Sequence, residues 1–169
     1  RPARLGSADV HLLVPDGLEH REIVVGLCAI VLAEDGFIWN MRILGDSPLG
    51  RKYGFSEEAS AAAPAKMVEV ISLIAHRLAA QERLGSRFLV GTSLSAADLY
   101  WATLSMSVLP PPPEIMPLTQ QNKGMLKYFA KNSQSPAISA ALTEKIEEHQ
   151  QFILTTYCET PAVLGGDLL

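Results

Sequence analysis

Apolar residues near the start of the chain recur at the three- and four-residue spacing of a single helical face. This spacing is typical of a helix with one buried side. The residues that have this spacing are Ile23, Leu27, Ile30 and Val31. Asp16 stands three residues before Glu19, which predicts an acidic N-cap and a helix start near Gly17. The run Glu34-Asp35-Gly36 predicts its end, and Phe37 to Leu44 predicts a second helix.

The middle of the chain alternates between a glycine-rich stretch and an alanine-rich stretch. Residues Gly45 to Phe55 contain three glycines and one proline, which predicts a loop. Residues Ser60 to Leu84 are rich in alanine and keep a helical spacing of apolar residues. They predict a long amphipathic helix with Pro64 in its first turn and with Gly85 just beyond its end.

The pattern of apolar residues in the second half of the chain also predicts helices. Residues Ala96 to Val108 predict a helix that stops before the four prolines 110–113, since proline lacks the amide donor that a helix interior needs. Two more helices are predicted around Gln121 to Lys131 and from Pro136 to Tyr157, and strand-like alternation is absent from the sequence. We therefore predict an all-α bundle of five or six helices, with 1–15 as a connecting segment and 16–169 as one domain.

The sharpest local pattern surrounds Ser95. In Leu94-Ser95-Ala96-Ala97-Asp98-Leu99, Ser95 can accept from the amide of Asp98 while the carboxylate of Asp98 accepts from the amide of Ser95. This is a capping box with aspartate in the place of glutamate. Leu94 and Leu99 occupy the two positions of a hydrophobic staple. The pattern predicts a well-defined helix start, a structural role that proteins of every function use.

The composition and charge of the chain indicate a folded domain and argue against nucleic acid and membranes as partners. Hydrophobic residues make up 48% of the chain and charged residues 19%, with a formal charge of −4, so a folded globular domain is expected. No excess of basic residues is available for nucleic acid or for an anionic membrane. The longest apolar run, Ile23 to Ala33, is too short to cross a bilayer. The two cysteines, Cys28 and Cys158, are expected in helices and reduced, which favours a cytoplasmic location.

No familiar catalytic or metal-binding motif is complete. The segment 91–95 lacks the final glycine of a serine-hydrolase elbow, and the chain has no phosphate-binding Gly-Lys-Ser/Thr. The histidines make no metal-binding pair on a helix, and they are His11, His20, His76 and His149. Glu148 and His149 are expected at the surface. The sequence therefore predicts no catalytic residue, no metal ligand and no cofactor.

Three segments carry a resemblance to a known family. Residues Phe88 to Trp101, which include the capping box, resemble the corresponding segment of glutathione transferase C-terminal domains. Residues Arg21 to Leu44 and Glu148 to Gln151 are similar to a group of transferase-like proteins. The resemblance extends over nearly the whole chain. It implies the all-helical C-terminal domain of that family.

In that family, a thioredoxin-like domain precedes the helical one, binds glutathione and supplies the catalytic residue. Residues Arg1 to Pro15 match no part of such a domain, so the resemblance implies that glutathione is a co-substrate only if an upstream domain exists. The helical domain usually forms one wall of the hydrophobic co-substrate pocket and part of a homodimer interface. Cys28, Trp39 and Arg42 are the candidate wall residues. The alternative to a pocket role is that Cys28 and Trp39 pack in the core and that Arg42 lies on a solvent-exposed face.

Two other functions stay open at the sequence level. A free-standing helical protein-interaction module would hold partners together without chemistry, and it predicts an exposed apolar patch. A small-molecule carrier would use a closed apolar cavity between the helices. Under the transferase hypothesis the 169 residues have no transferase activity by themselves.

Overall fold

The fold is taken from a computed structural model, and the structure describes residues 13–162 of the chain. Within these residues all regular structure is helical, as the sequence predicts. Eight helices follow one another: α1 (Leu18–Leu32), α2 (Phe37–Arg42), α3 (Pro48–Lys52), α4 (Glu57–Arg83), α5 (Ala96–Ser105), α6 (Lys123–Asn132), α7 (Pro136–Ala141) and α8 (Glu144–Tyr157). The predicted number of five or six helices is therefore too low. Parts of the connecting segment 1–15 and of the domain 16–169 lie outside the described residues.

The junction between α1 and α2 is a close backbone contact. A Cβ atom at Gly36 would lie 2.6 Å from the carbonyl oxygen of Ile30, so only glycine fits there. The predicted N-cap is wrong by one residue, because Gly17 rather than Asp16 is the N-cap of α1 and no side chain caps it. The two helices otherwise lie close to the predicted positions.

The predicted loop 45–55 contains a short helix. Ser47 caps α3 by accepting a hydrogen bond from the amide of Gly50 at 2.9 Å, and Pro48 occupies the first helical position. Both are favourable start signals, which the glycine and proline content of the segment conceals. A Cβ atom at Gly50 would lie 2.6 Å from the carbonyl oxygen of Gly45. Glycine there therefore permits a close chain approach rather than a loop.

Helix α4 begins earlier than the sequence pattern predicts. Ser56 is its N-cap and accepts from the amide of Ala59 at 3.1 Å. Pro64 is therefore inside the helix and not in its first turn, where it leaves the carbonyl of Ser60 without the usual amide donor. Five apolar residues of this helix are fully or nearly fully buried, and they are Ala63, Met67, Ile71, Ile74 and Leu78.

The last predicted helix is divided in two. Leu142 and Thr143 adopt extended backbone between α7 and α8. Ile138 on α7 and Ile146 on α8 are both completely buried in the same core cluster. The two isoleucines therefore reach the same core from separate helices, and the apolar spacing of the sequence does not predict the break between these helices.

Helix α5 lies at the centre of the fold and packs against α1 and α8. Trp101 on α5 is completely buried and meets Phe37 of α2 edge to face, with ring centroids 5.2 Å apart. A second core cluster forms on the other side of α5 and consists of Ala102, Met106, Ile115, Met116, Ile153 and Leu154.

Among residues 13–162, no helix has both the length and the apolar character that crossing a membrane requires.

Candidate functional site

The carboxylate of Asp98 is the polar centre of the fold. Its Oδ2 accepts from the amide of Ser95 at 2.9 Å and from the Ser95 hydroxyl at 2.6 Å. Its Oδ1 accepts from the amide of Leu89 at 2.7 Å. The capping box is formed in both directions. Asp98 therefore ties the loop before α5 to the first turn of that helix.

The staple residues of the same motif lie beside this centre. Leu94 and Leu99 are both partly buried and pack against the second core cluster. The chain that precedes α1 also reaches this place, because the carbonyl of Leu13 accepts from the amide of Ala96 at 2.8 Å. The start of α5 is consequently held by side chains and by backbone from two distant parts of the sequence.

His149 supplies the fourth contact to Asp98. Its Nε2 lies 2.9 Å from Asp98 Oδ1, and the side chains of His149 and Asp98 are 2% and 0% exposed. The prediction that His149 lies at the surface is wrong, although Glu148 is exposed. The sequence does hold a signal for this, since Ile146, His149 and Ile153 fall on one helical face. A polar residue on the apolar face of α8 indicates that the side chain is buried and has a polar partner in the core.

The hydrogen bond to Asp98 determines how His149 presents its second nitrogen. A carboxylate only accepts hydrogen bonds, so a neutral imidazole must carry its proton on Nε2. Nδ1 is then an acceptor. It is buried and has no hydrogen-bond partner in the structure. An unpaired buried polar atom is unfavourable, so the bond to Asp98 and the packing around the ring must offset this cost.

His149 lines an open cleft of about 540 Å³ between α4, the loop that follows it, and α8. The guanidinium carbon of Arg87 lies over the ring of Phe152, 3.7 Å from its centroid. Lys145 on α8 forms an ion pair with Glu82 on α4 across the cleft. The lining residues are Leu78, Glu82, Ser86, Arg87, Lys145, Glu148, His149, Gln151, Phe152 and Thr155.

The three residues predicted to line a co-substrate pocket do not form one group. Trp39 meets Tyr53 edge to face with centroids 5.1 Å apart, and the guanidinium carbon of Arg42 lies 4.2 Å from the centroid of the same Tyr53 ring. Cys28 instead packs against the main core cluster from α1. Neither the cleft beside α8 nor a second cleft along α6 includes Cys28, Trp39 or Arg42.

Both cysteines are free and partly buried. Burial raises the pKa of the Cys28 thiol, and the negative charge of Asp98 raises it further. Burial also raises the pKa of Cys158, which is the C-cap of α8 rather than a residue inside the helix. A raised pKa lowers the thiolate fraction at neutral pH, so neither cysteine is activated as a nucleophile. Within residues 13–162, no group of three or more side chains is arranged to hold a metal ion.

Comparison of the chain with protein-family models, with curated proteins and with solved structures finds no match. The resemblance to glutathione transferases therefore depends on the residues quoted above alone. It stays a prediction.

Proposed function

We propose that this chain is the C-terminal helical domain of a glutathione transferase-like protein, in which an upstream thioredoxin-like domain binds glutathione. The helical domain would shape the hydrophobic co-substrate pocket and the dimer interface. The observation that carries this proposal is an apolar stripe along the outer face of α1. Its members are Leu18, Val25 and Leu32, with exposed fractions of 76%, 54% and 38%.

The spacing of the stripe makes it a continuous surface. Residues seven apart lie on nearly the same side of a helix, so Leu18, Val25 and Leu32 form a single row. Exposed apolar rows of this kind are typical of contact surfaces. The hydrogen bond from Ala96 to the carbonyl of Leu13 holds the chain beside α5 just before α1 begins. The proposal places the upstream domain against the exposed row on α1.

The cluster of Trp39, Arg42 and Tyr53 is the proposed contribution to a co-substrate pocket. All three side chains are partly exposed, and two aromatic rings with one cation could contact an apolar, electron-rich molecule. For Cys28, core packing is the better interpretation than a pocket role, because Cys28 packs against the core and burial raises the pKa of its thiol. We therefore assign Cys28 to packing.

The first test is the intact mass of the protein purified from its natural source. The proposal expects a species clearly heavier than the 18.3 kDa of this chain, with glutathione-dependent conjugation that the 169-residue chain alone does not show. A native mass of 18.3 kDa would contradict it.

A pair of variants tests the role of α1 in the heavier protein. Val25→Asp places a charge in the middle of the stripe and should lower conjugation and the cooperativity of unfolding. Leu73→Asp is the matched control, because Leu73 is an exposed apolar residue on α4 rather than α1. Equal effects of the two substitutions would argue against docking on α1.

The same stripe favours one alternative, a non-catalytic helical protein-interaction module in a larger assembly. In that case a separate polypeptide covers α1, and Val25→Asp should release that partner without any change in glutathione chemistry. The carrier alternative gains no such support. It expects a closed apolar cavity, whereas the cleft beside α8 is open and several of its lining side chains are charged.

A further inference from the structure

Half of the lysines of the chain lie along one side of α6. The sequence has six lysines, and three of them are Lys123, Lys127 and Lys131. Their four-residue spacing places them in a single row on the helix, and all three are exposed. Like charges at this spacing repel one another. The row is therefore a local concentration of positive charge in a chain whose formal charge is −4.

The row has no acidic neighbour that neutralises it. Between Glu114 and Glu144 the sequence contains no aspartate or glutamate. Among residues 13–162, the ion pairs involve none of the three lysines of α6, whereas Lys66 and Lys145 are each paired with a carboxylate. The positive charge of α6 is therefore free to contact a group outside this chain.

The second cleft, of about 490 Å³, lies along α6 beside this row. Most of its exposed surface is apolar, and its lining residues are Gly124, Lys127, Tyr128, Ala130, Lys131 and Gln134. None of these residues is acidic. The cleft therefore offers apolar contact next to positive charge, and this combination is complementary to a segment that carries both apolar side chains and carboxylates.

The large apolar side chains of α6 are already used inside the protein. Leu126 and Phe129 pack against the second core cluster. Tyr128 packs against the main cluster and donates its hydroxyl to the carbonyl of Met41 at 2.9 Å. These side chains are not free to enter a lipid bilayer, as an interfacial helix requires. The lysine row also extends over only about 12 Å of helix, which is a small footprint for nucleic acid on an acidic chain.

We propose that the cleft along α6 is the docking surface for an acidic peptide segment of another protein. Two carboxylates of the segment pair with Lys127 and Lys131, and its apolar side chains lie in the cleft between them. The acid-free composition of this part of the chain gives the partner its sign of charge, and the apolar cleft distinguishes it from a purely ionic ligand. The surface includes no residue of α1 and neither Trp39 nor Arg42, so it does not depend on the transferase proposal.

The test is an NMR titration of the isotope-labelled chain with a blocked synthetic peptide of the repeating unit Glu-Ala-Ala-Leu, roughly 16 residues long. We expect saturable shifts of the α6 amides with a Kd of about 1 mM or tighter at low salt. The matched peptide Gln-Ala-Ala-Leu lacks the charges and should bind at least about fivefold more weakly. Binding of the acidic peptide should also weaken as the salt concentration rises to about 0.5 M.

Three outcomes of this titration would overturn the proposal. The first is the absence of saturable α6 shifts with the acidic peptide, and the second is equal affinity for the two peptides. The third is a response of α6 to phosphatidylserine vesicles or to oligothymidylate without a response to the acidic peptide, which would identify a membrane or a nucleic acid as the ligand instead.

A matched pair of variants tests whether the lysine row is responsible. Lys127→Gln should weaken binding of the acidic peptide by about threefold, as expected for the loss of one exposed ion pair. Lys52→Gln is the control, because Lys52 is also exposed and takes part in none of the ion pairs within residues 13–162, but it lies on α3. Equal losses in the two variants would show that only the net charge of the chain matters, which contradicts a defined surface on α6.

Discussion

At the scale of single residues, Asp98 links three parts of the fold. One carboxylate receives hydrogen bonds from the loop before α5, from the N-cap of α5 and from α8. A buried carboxylate is unfavourable unless its lone pairs are occupied. Here they are occupied by two amides, one hydroxyl and one imidazole, which explains why an acidic residue can be completely buried at this position.

We predict that Asp98→Asn destabilises the fold strongly. An asparagine amide would turn a donor toward groups that are themselves donors, and the loss should be about 2–4 kcal/mol in the free energy of unfolding. Urea unfolding of the two proteins measures it. Asp46→Asn is the control, because Asp46 is an exposed residue paired only with Arg51, and its loss should have little effect.

The two cysteines should react slowly with alkylating reagents. Because burial raises the pKa of both Cys28 and Cys158, less thiolate is present at neutral pH than for a free thiol. Iodoacetamide labelling of the native chain should therefore accelerate only as the pH rises above the ordinary thiol range, whereas the urea-unfolded chain should react at the rate of a free cysteine. Fast labelling of the native chain at pH 7 would contradict this prediction.

Asp35 offers a test of pH dependence. A hydrogen bond with Lys66 lowers the pKa of its carboxyl below the ordinary value. A lowered pKa means that the stabilisation is present above the ordinary aspartate pKa and is lost as the pH falls through the lower value. Since both side chains are largely exposed, Asp35→Asn should cost only a few tenths of a kcal/mol at pH 7.

The same variant has a built-in control for backbone effects. Asp35 has a positive φ of 66°, and asparagine tolerates that conformation as well as aspartate does. The difference in stability between the two proteins should therefore disappear below the aspartate titration range. A difference that grows as the pH falls would show that the ion pair is not its source.

At the scale of helices, α4 shows which parts of an element the sequence predicts well. Its apolar spacing identifies the buried face, and Met67, Ile71 and Ile74 are completely buried as that spacing requires. Its start is predicted less well, since the alanine-rich pattern begins after the true N-cap at Ser56. Caps are local contacts of one or two side chains, so they leave a weaker signal than a long apolar row.

A pair of substitutions on α4 tests this assignment of faces. Ile71→Ala removes a completely buried side chain and should destabilise the fold by about 2–5 kcal/mol. Leu73→Ala, two residues away, changes a side chain that is 44% exposed and should stay within about 0.5 kcal/mol of the parent. Chemical unfolding of both variants measures the difference. Similar losses would mean that the helix is rotated relative to the described structure.

At the scale of the whole molecule, the two tryptophans report on the packing of α5. Trp101 is completely buried at the centre, whereas Trp39 is partly exposed beside Tyr53. We predict that Trp39→Phe leaves a protein whose remaining fluorescence is blue-shifted and resists acrylamide quenching. Trp101→Phe should leave emission that is quenched readily. Equal quenching in the two variants would be incompatible with a central α5.

The sequence by itself determined the all-helical class, the main helices and the capping box, because these depend on apolar spacing and on side chains within a few residues of each other. It did not reveal α3 or the break between α7 and α8, and the shared helical face of Ile146, His149 and Ile153 indicated that His149 is buried without indicating its partner. The bond between His149 and Asp98 joins residues 51 positions apart, and no local pattern records such a distance. Only the tertiary structure, which packs α8 against α5, decided that these two groups meet and that a cleft lies beside them.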